Sequence, residues 1–210
     1  MTLFTLIDEF TFPDHYYLEP GDICVYHGDY TSGGGFKYSD TNSLILNIKK
    51  SPEHRGTNQW YWKEEAIRKC GQIIKRGLKS SWLETTTLVP IPPSKSPADP
   101  AYDARITQIL QQIDPAKHLD IRELVCQKNS FVASHDTNDR PSPNEIRMRY
   151  SINEALTNPI PSSIAIFDDV LTTGAHFKAM KSLLLERFPG VGIVGVFIAR
   201  RVFPPVFVPL

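Results

Sequence analysis

The sequence predicts an α/β protein in which helices cover both faces of a largely parallel sheet. Two segments, 163–167 and 191–199, are almost continuously apolar, as strands are when both of their faces are buried. An amphipathic helix is predicted between them at 176–188, and alternation of buried strands with helices is typical of a parallel sheet. With 210 residues, the chain is long enough to bury a core without disulfides.

The N-terminal region differs from the remainder in having only short regular segments. Residues 22–26 predict a strand, the glycines at 33–35 predict a turn, and 43–48 is compatible with either a helix or a strand. We therefore expect residues 1–58 to form a small irregular cap or hood, and residues 59–210 to form the core.

The core region alternates between helical and extended patterns. Apolar residues recur at the helical period over 60–78, where charged residues occupy the other positions. In chain order the next predicted elements are a strand at 85–91, a proline-rich loop at 92–96, a helix at 102–113, a strand at 119–125, a polar loop at 134–143, and a helix at 144–156 with Ser142 or Asn144 as its N-cap.

Composition and charge exclude several classes of protein. The 23 basic residues balance the 23 acidic residues, so the net charge does not indicate nucleic acid as a partner. The three cysteines, Cys24, Cys70 and Cys126, lack the spacing of a zinc site, and no apolar stretch approaches the roughly 20 residues of a membrane helix. We expect a cytoplasmic protein without membrane contact. The apolar end of the chain, 203–210, either packs back on the domain or forms a homodimer contact.

The strongest chemical pattern lies in segment 164–176, IAIFDDVLTTGAH. A buried strand leads to Asp168 and Asp169, and a loop with two threonines and Gly174 connects them to the start of a helix. Ligands of open α/β sheets bind at the carboxyl ends of the strands. Backbone N–H groups at a helix N-terminus bind phosphate, whereas carboxylates accept hydrogen bonds from sugar hydroxyls. The pattern therefore indicates a ribose 5-phosphate site; an acidic turn with a capping threonine explains only one of the hydroxyls.

Residues 167–177, FDDVLTTGAHF, resemble the phosphoribosyl-pyrophosphate motif of type I phosphoribosyltransferases. The similarity extends over about 43–202 and is that of the ComF-like, competence-type subgroup. LVPIPPSK at 88–95 resembles the strand and loop that hold pyrophosphate in that subgroup. Residues 141–155 resemble the stretch that follows the subgroup's flexible loop. IARR at 198–201 resembles the last core strand. The resemblance implies a central parallel sheet flanked by helices, with the N-terminal cap beside it.

The chain departs from that subgroup at three places. It lacks the cysteine-rich N-terminal zinc module, and YDAR at 102–105 replaces a glycine-phenylalanine-asparagine cluster. His176 stands where the motif usually has Thr or Ser, and it either contacts the phosphate or only begins the helix. These departures bear on the competence role more than on the expected fold.

The resemblance implies transfer of ribose 5-phosphate from phosphoribosyl pyrophosphate to a base or amine, with release of pyrophosphate. Asp168 and Asp169 would hold the ribose hydroxyls and, with Lys95, form the expected catalytic set. The 5-phosphate would be bound by Thr172, Thr173, Gly174, Ala175 and His176, and the pyrophosphate by Pro93, Ser94, Lys95 and Arg105. Mg²⁺ would be carried by the substrate, without a direct protein ligand. A lid at 134–143 would contain Asp139 and Arg140.

Several of these assignments have simpler alternatives. Lys95 also fits a solvated loop lysine, and surface or salt-bridging roles fit four arginines as well as anion contacts do: Arg105, Arg140, Arg147 and Arg149. A second functional hypothesis is a non-catalytic module of this fold that senses phosphoribosyl pyrophosphate or a nucleotide. A third, a DNA-handling partner, has little support from a net charge of zero. We expect the cap, around 22–50, to recognise the acceptor, although it contains no motif that identifies a base.

Overall fold

The computed structural model describes residues 3–128 and 141–204, and it confirms an α/β architecture. The strands are β1 Thr5–Leu6, β2 Ile23–Thr31, β3 Thr87–Pro90, β4 Val125–Gln127, β5 Tyr150–Ile152, β6 Ser163–Leu171 and β7 Gly192–Val202. The α-helices are α1 Asp40–Ile48, α2 Asn58–Gly77, α3 Ser80–Thr85, α4 Arg105–Gln111, α5 Pro143–Arg149 and α6 Ala175–Arg187. Short 3₁₀ helices lie at Phe12–His15, Pro52–His54 and Glu154–Leu156.

A mainly parallel sheet of five strands forms the centre of the described structure. The strand order is β1-β2-β7-β6-β3, and only β1 is antiparallel to its neighbour. Along β6, Ile164 and Ile166 pack in the core that contains residues of α5 and α6, whereas Ala165 and Phe167 pack in the core formed with α1, α2 and α4. Because both faces are covered, β6 is apolar at successive positions.

The N-terminal region contributes to this central sheet. β2 pairs in parallel with β7 and is longer than the strand predicted at 22–26. The ambiguous segment 43–48 is helical, and Leu44, Ile45 and Ile48 are buried in the same core as the apolar residues of α2. A division between a cap of residues 1–58 and a core of residues 59–210 remains a prediction. β2, however, belongs to the same sheet as β6 and β7, and α1 packs in the same hydrophobic core as those strands.

The strand predicted at 119–125 is different in the structure. Only Ile121 continues the sheet, through one parallel bridge with Leu88. The chain then leaves the sheet and forms β4, which pairs with β5 in a separate two-stranded antiparallel sheet. That pairing also ends the helix predicted at 144–156, because the three residues after Arg149 are extended in β5.

The ends of two other elements are set by local side chains. Of the two predicted candidates, Ser142 rather than Asn144 is the N-cap of α5, and it forms a capping box with Glu145. The strand predicted at 85–91 begins later, because Thr85 is the last residue of α3. Among the helices of residues 3–128 and 141–204, none is both long and apolar enough to span a membrane.

The pairing of β3 with β6 positions the polar segments that follow them. Pro90 lies opposite Phe167, and the Ile91 N–H donates to the Phe167 carbonyl at 2.9 Å. β6 continues beyond the predicted end at 167 and contains both Asp168 and Asp169. The loop after β3 and the turn after β6 therefore lie at the same edge of the sheet.

Candidate functional site

A cleft of about 300 Å³ opens at the carboxyl ends of β3 and β6. It brings together most of the site residues expected from the sequence: Pro93, Ser94, Lys95, Arg105, Asp168, Asp169, Thr172 and His176. Lys49 and Asp103 also line it, although the sequence did not single them out. Three further predicted residues, Thr173, Gly174 and Ala175, form the turn between β6 and α6 and are buried.

Asp169 is a buried carboxylate held by two cations. The Arg105 guanidinium donates to its Oδ2 from Nε and Nη2 at 2.8 and 2.7 Å, and Lys49 Nζ lies 3.1 Å from its Oδ1. Burial alone would raise the pKa of Asp169, but Arg105 and Lys49 outweigh it and hold the pKa below its usual range. Asp169 is therefore ionised at neutral pH.

Asp168 lies beside it in a different environment. No ion-pair partner of Asp168 is present among the described residues, and its Oδ1 accepts the Asp169 N–H at 2.8 Å. Burial, and then the negative charge of Asp169, raise the pKa of Asp168 to about 7. Asp169 therefore carries a negative charge at neutral pH, whereas Asp168 is protonated in part of the molecules near pH 7.

The network of ion pairs that includes Asp169 and Arg105 extends behind the cleft into the core. Arg105 Nη1 donates to Asp103 Oδ2 at 3.0 Å, and the same oxygen accepts from Lys63 Nζ at 2.7 Å. Lys63 is fully buried and also donates to the Lys50 carbonyl at 2.7 Å. The YDAR segment that replaces the subgroup's usual cluster thus supplies both an acid and a base to one network, which connects α2, α4 and β6.

The turn between β6 and α6 requires glycine at position 174. Gly174 has φ +86°, in the left-handed region, and a Cβ there would lie 2.9 Å from Leu18 Cδ2. The Ala175 N–H is directed to Thr173 Oγ1 at 3.4 Å, so this hydroxyl is used inside the turn. Both the backbone conformation and the close approach of the N-terminal segment therefore select a residue without a side chain.

The N-terminal segment contacts the outer side of the same turn. His15 Nδ1 donates to the Thr172 carbonyl, and the Tyr17 N–H donates to the Thr173 carbonyl at 3.0 Å. Because a trans peptide directs its N–H opposite to its carbonyl, the N–H groups of Thr173 and Gly174 point away from this segment. These two N–H groups have no acceptor in the described part of the chain. Free N–H groups at the start of a helix are of the kind that can donate to an anion.

The loop after β3 forms the opposite wall of the cleft. Ser94 is exposed, and Lys95 is partly exposed with its Nζ 3.9 Å from Asp99 Oδ2. That distance is long for an ion pair between partly exposed groups, so it constrains Lys95 weakly. Lys95 can therefore reach an anion in the cleft.

Two groups of predicted residues are not in the cleft as described. Residues 134–140 of the expected lid, which include Asp139 and Arg140, lie outside the described residues. Arg147 points to α6, where it forms an ion pair with Glu186, so the structure assigns it a salt bridge rather than an anion contact.

Four residues at or beside the site could not be selected from the sequence: His15, Lys49, Asp103 and Tyr150, whose hydroxyl oxygen lies 2.7 Å from Nδ1 of His176. Three of them meet their partners only through contacts between distant parts of the chain, and Asp103 pairs both with the nearby Arg105 and with the distant Lys63. Asp103 had the clearest local signal, because it lies in the segment that departs from the subgroup's pattern. His15 and Lys49 lie in segments with no chemical motif.

Comparison with known proteins identifies no relative. No protein-family model matches the chain, and no curated protein is similar to it. In the described residues, no group of three or more His, Cys, Asp or Glu side chains is arranged to hold a metal ion. The acid pair, the turn with free N–H groups and the facing loop are thus the features on which a function can be proposed.

The two acids should have opposite effects on stability. Asp168→Asn removes a carboxyl whose raised pKa opposes folding once it is ionised, and should stabilise the protein by about 1–2 kcal/mol at pH 8. The gain should grow from about pH 4 to about pH 7 and stay constant above, since the pKa rises from 3.8 to about 7 on folding. Urea denaturation across this pH range would measure it.

Asp169→Asn is the matched comparison and should destabilise the protein by about 3 kcal/mol at pH 8, because Arg105 loses its nearest carboxylate. The lowered pKa of Asp169 means that wild-type stability from this group is present above about pH 4 and lost as the pH falls. Equal effects of the two substitutions would contradict the assigned difference between the acids.

The contact of His15 with the turn should also be measurable. His15→Leu removes the donor to the Thr172 carbonyl and should cost about 1–3 kcal/mol of unfolding free energy. His15→Asn can keep an N–H donor near the position of Nδ1 and should cost less. If both variants lose the same stability, the hydrogen bond contributes little and the packing of the ring accounts for the loss.

Proposed function

We propose that the chain is a phosphoribosyltransferase-like protein, which binds phosphoribosyl pyrophosphate with Mg²⁺ and transfers its ribose 5-phosphate to a base or amine. The observation that supports this most directly is the order of groups around one cleft. Thr172 and His176 at the two ends of the turn, the acid pair and a lysine-bearing loop line it in an order that corresponds to the phosphate, sugar and leaving group of one substrate.

The phosphate end of the proposed substrate would lie at the turn before α6. The N–H groups of Thr173 and Gly174 are directed away from His15 and Tyr17, and the positive end of the helix dipole adds to their attraction for an anion. Because the turn is held by the N-terminal segment before any ligand binds, little conformational entropy would be lost on binding.

The sugar would lie over Asp168 and Asp169. Carboxylates accept hydrogen bonds from vicinal hydroxyls, and their negative charge favours a ribose ring that becomes cationic as pyrophosphate leaves. Asp169 already has two cationic partners, so Asp168 is the acid with more capacity to accept from a ligand. The two acids would thus divide the work: Asp169 keeps Arg105 and Lys49 in place, and Asp168 contacts the sugar.

The pyrophosphate would lie against the loop after β3. Lys95 and the Ser94 hydroxyl can donate to phosphate oxygens, and Arg105 adds a cation on the adjacent wall. Positioning and stabilisation of the leaving group are the main requirements of such a displacement, which needs no protein nucleophile.

The residues of the cleft fit Mg²⁺ bound together with the substrate. Asp169 is occupied by Arg105 and Lys49 and Asp168 faces the sugar, so Mg²⁺, which keeps several waters and binds substrate phosphates, would be carried by the pyrophosphate without a direct protein ligand. When bound, the ion would neutralise negative charge on the departing pyrophosphate. The chain's own contribution would be to orient the sugar through Asp168 and to hold the phosphates through Lys95 and the turn.

A second candidate function is a sensor that binds the sugar phosphate without turnover. The observation in its favour is that Asp169 is fully engaged by Arg105 and Lys49, so half of the acid pair is already neutralised by protein cations. Such a site can bind a ligand through Asp168 and the turn alone. Turnover with an acceptor separates the two candidates.

The decisive experiment measures pyrophosphate release from phosphoribosyl pyrophosphate and Mg²⁺, with a panel of bases and amines, beside calorimetric binding of ribose 5-phosphate. Lys95→Met should lower release about 100-fold and leave ribose 5-phosphate affinity nearly unchanged, because Lys95 faces the leaving group. The double variant Asp168→Asn with Asp169→Asn should weaken binding of both ligands. Lys75→Met and Asp114→Asn, which remove an ion pair outside the cleft, are the matched controls.

The outcomes distinguish the candidates. Acceptor-dependent release that Lys95→Met abolishes establishes the transferase and identifies its acceptor class. Tight binding without release for any acceptor favours the sensor. If wild-type protein neither binds ribose 5-phosphate nor releases pyrophosphate, the proposal is wrong.

A further inference from the structure

His176 and Tyr150 form a hydrogen-bonded pair at the edge of the cleft. His176 is the second residue of α6, is exposed and lines the cleft beside Thr172. Its ring Nδ1 lies 2.7 Å from the Tyr150 hydroxyl oxygen. Tyr150 is only 1% exposed and begins β5, the strand that pairs with β4. The pair therefore joins the two-stranded β4–β5 sheet to the start of α6.

The available partners decide the direction of this hydrogen bond. The Tyr150 hydroxyl has one proton to donate, and His176 Nδ1 is its only acceptor among the described residues. If Nδ1 carried a proton and donated to Tyr150 instead, the buried phenol proton would lack an acceptor in the described part of the chain, which is costly. The favoured arrangement has Tyr150 donating to an unprotonated Nδ1, so the neutral ring carries its proton on Nε2.

Burial favours the neutral forms of both side chains, and the nearby charged groups act in both directions. Burial, and then the charge of Asp168, raise the pKa of Tyr150, whereas Arg149 opposes them. Although His176 is exposed at the cleft, desolvation of its imidazole lowers the pKa; Asp169 opposes this shift and Arg149 adds to it. Both side chains are thus neutral near pH 8, and the hydrogen bond has one direction.

We infer that Tyr150 is a positioning residue: it fixes His176 in the tautomer whose Nε2–H donates to a phosphate bound at the turn before α6. This inference rests on the proposed function, since it adds one donor to the phosphate end of the proposed substrate. The phosphate would then be held by backbone N–H groups from the turn and by one side-chain N–H whose orientation is set outside the cleft.

The direct test is the tautomeric state of His176, which the ¹⁵N shifts and couplings of its imidazole report at pH 8. The imidazole signals that disappear in His176→Gln are assigned to His176. Wild-type protein should show an unprotonated Nδ1 and a protonated Nε2. Tyr150→Phe should shift both nitrogens toward an averaged value. This readout needs no ligand, and a merely structural role of Tyr150 would not move it.

Affinity for ribose 5-phosphate and for inorganic phosphate gives the functional arm. Tyr150→Phe should weaken ribose 5-phosphate binding about three- to tenfold, the effect of one imperfect hydrogen bond. His176→Leu should lose about as much, whereas His176→Gln, whose amide can place an N–H near the position of Nε2, should stay close to wild type. Tyr61→Phe changes an exposed tyrosine of α2 and should have no effect.

The two arms separate failure of this inference from failure of the proposed function. Wild-type binding of ribose 5-phosphate with a protonated Nδ1, or with an unchanged tautomer and affinity in Tyr150→Phe, overturns the inference and leaves the proposed function standing. Absence of ribose 5-phosphate binding in the wild type overturns both. The Nε2–H tautomer, with affinity lost in Tyr150→Phe and kept in His176→Gln, supports the inference.

Discussion

The interaction on which the site depends is the ion pairing of Asp169 with Arg105 and Lys49 at the carboxyl end of β6. A buried carboxylate without such partners would be protonated or would destabilise the fold. Here the two cations come from α4 and from the residue after α1, so one side chain joins three elements around the cleft. Arg105 then extends the network through Asp103 to the buried Lys63.

This arrangement explains why two adjacent acids differ. Successive residues of a strand point to opposite faces, so Asp169 meets the cations while Asp168 meets Asp169's charge and the cleft. A buried carboxyl whose pKa is raised to about 7, as in Asp168, lowers the stability of the folded protein once it is ionised. Such groups are typical of functional sites. The turn beside it is supported from outside by His15 and Tyr17, so the N-terminal segment holds the start of α6 in place.

Most of the fold could be predicted because it depends on local periodicity. Helix α2, the buried strands β6 and β7, and the N-cap Ser142 follow from residue spacing over a few turns or a few strand positions. The secondary-structure predictions that were wrong concern segments whose local structure is decided by a partner distant in the sequence. The residues after Arg149 are extended because β4 pairs with them, and only Ile121 of the strand predicted at 119–125 reaches the sheet.

By itself the sequence determined the α/β class and the segment that supplies the acid pair, the threonines and the glycine, because strand, turn and helix start are contiguous there. It could not determine which acid is neutralised, because that depends on Lys49 and Arg105 approaching from other elements. Only the tertiary structure decided that His15 supports the turn and that His176 has Tyr150 as its partner. The physical reason is that charge, burial and hydrogen-bond direction depend on distances in space, which residue spacing does not contain.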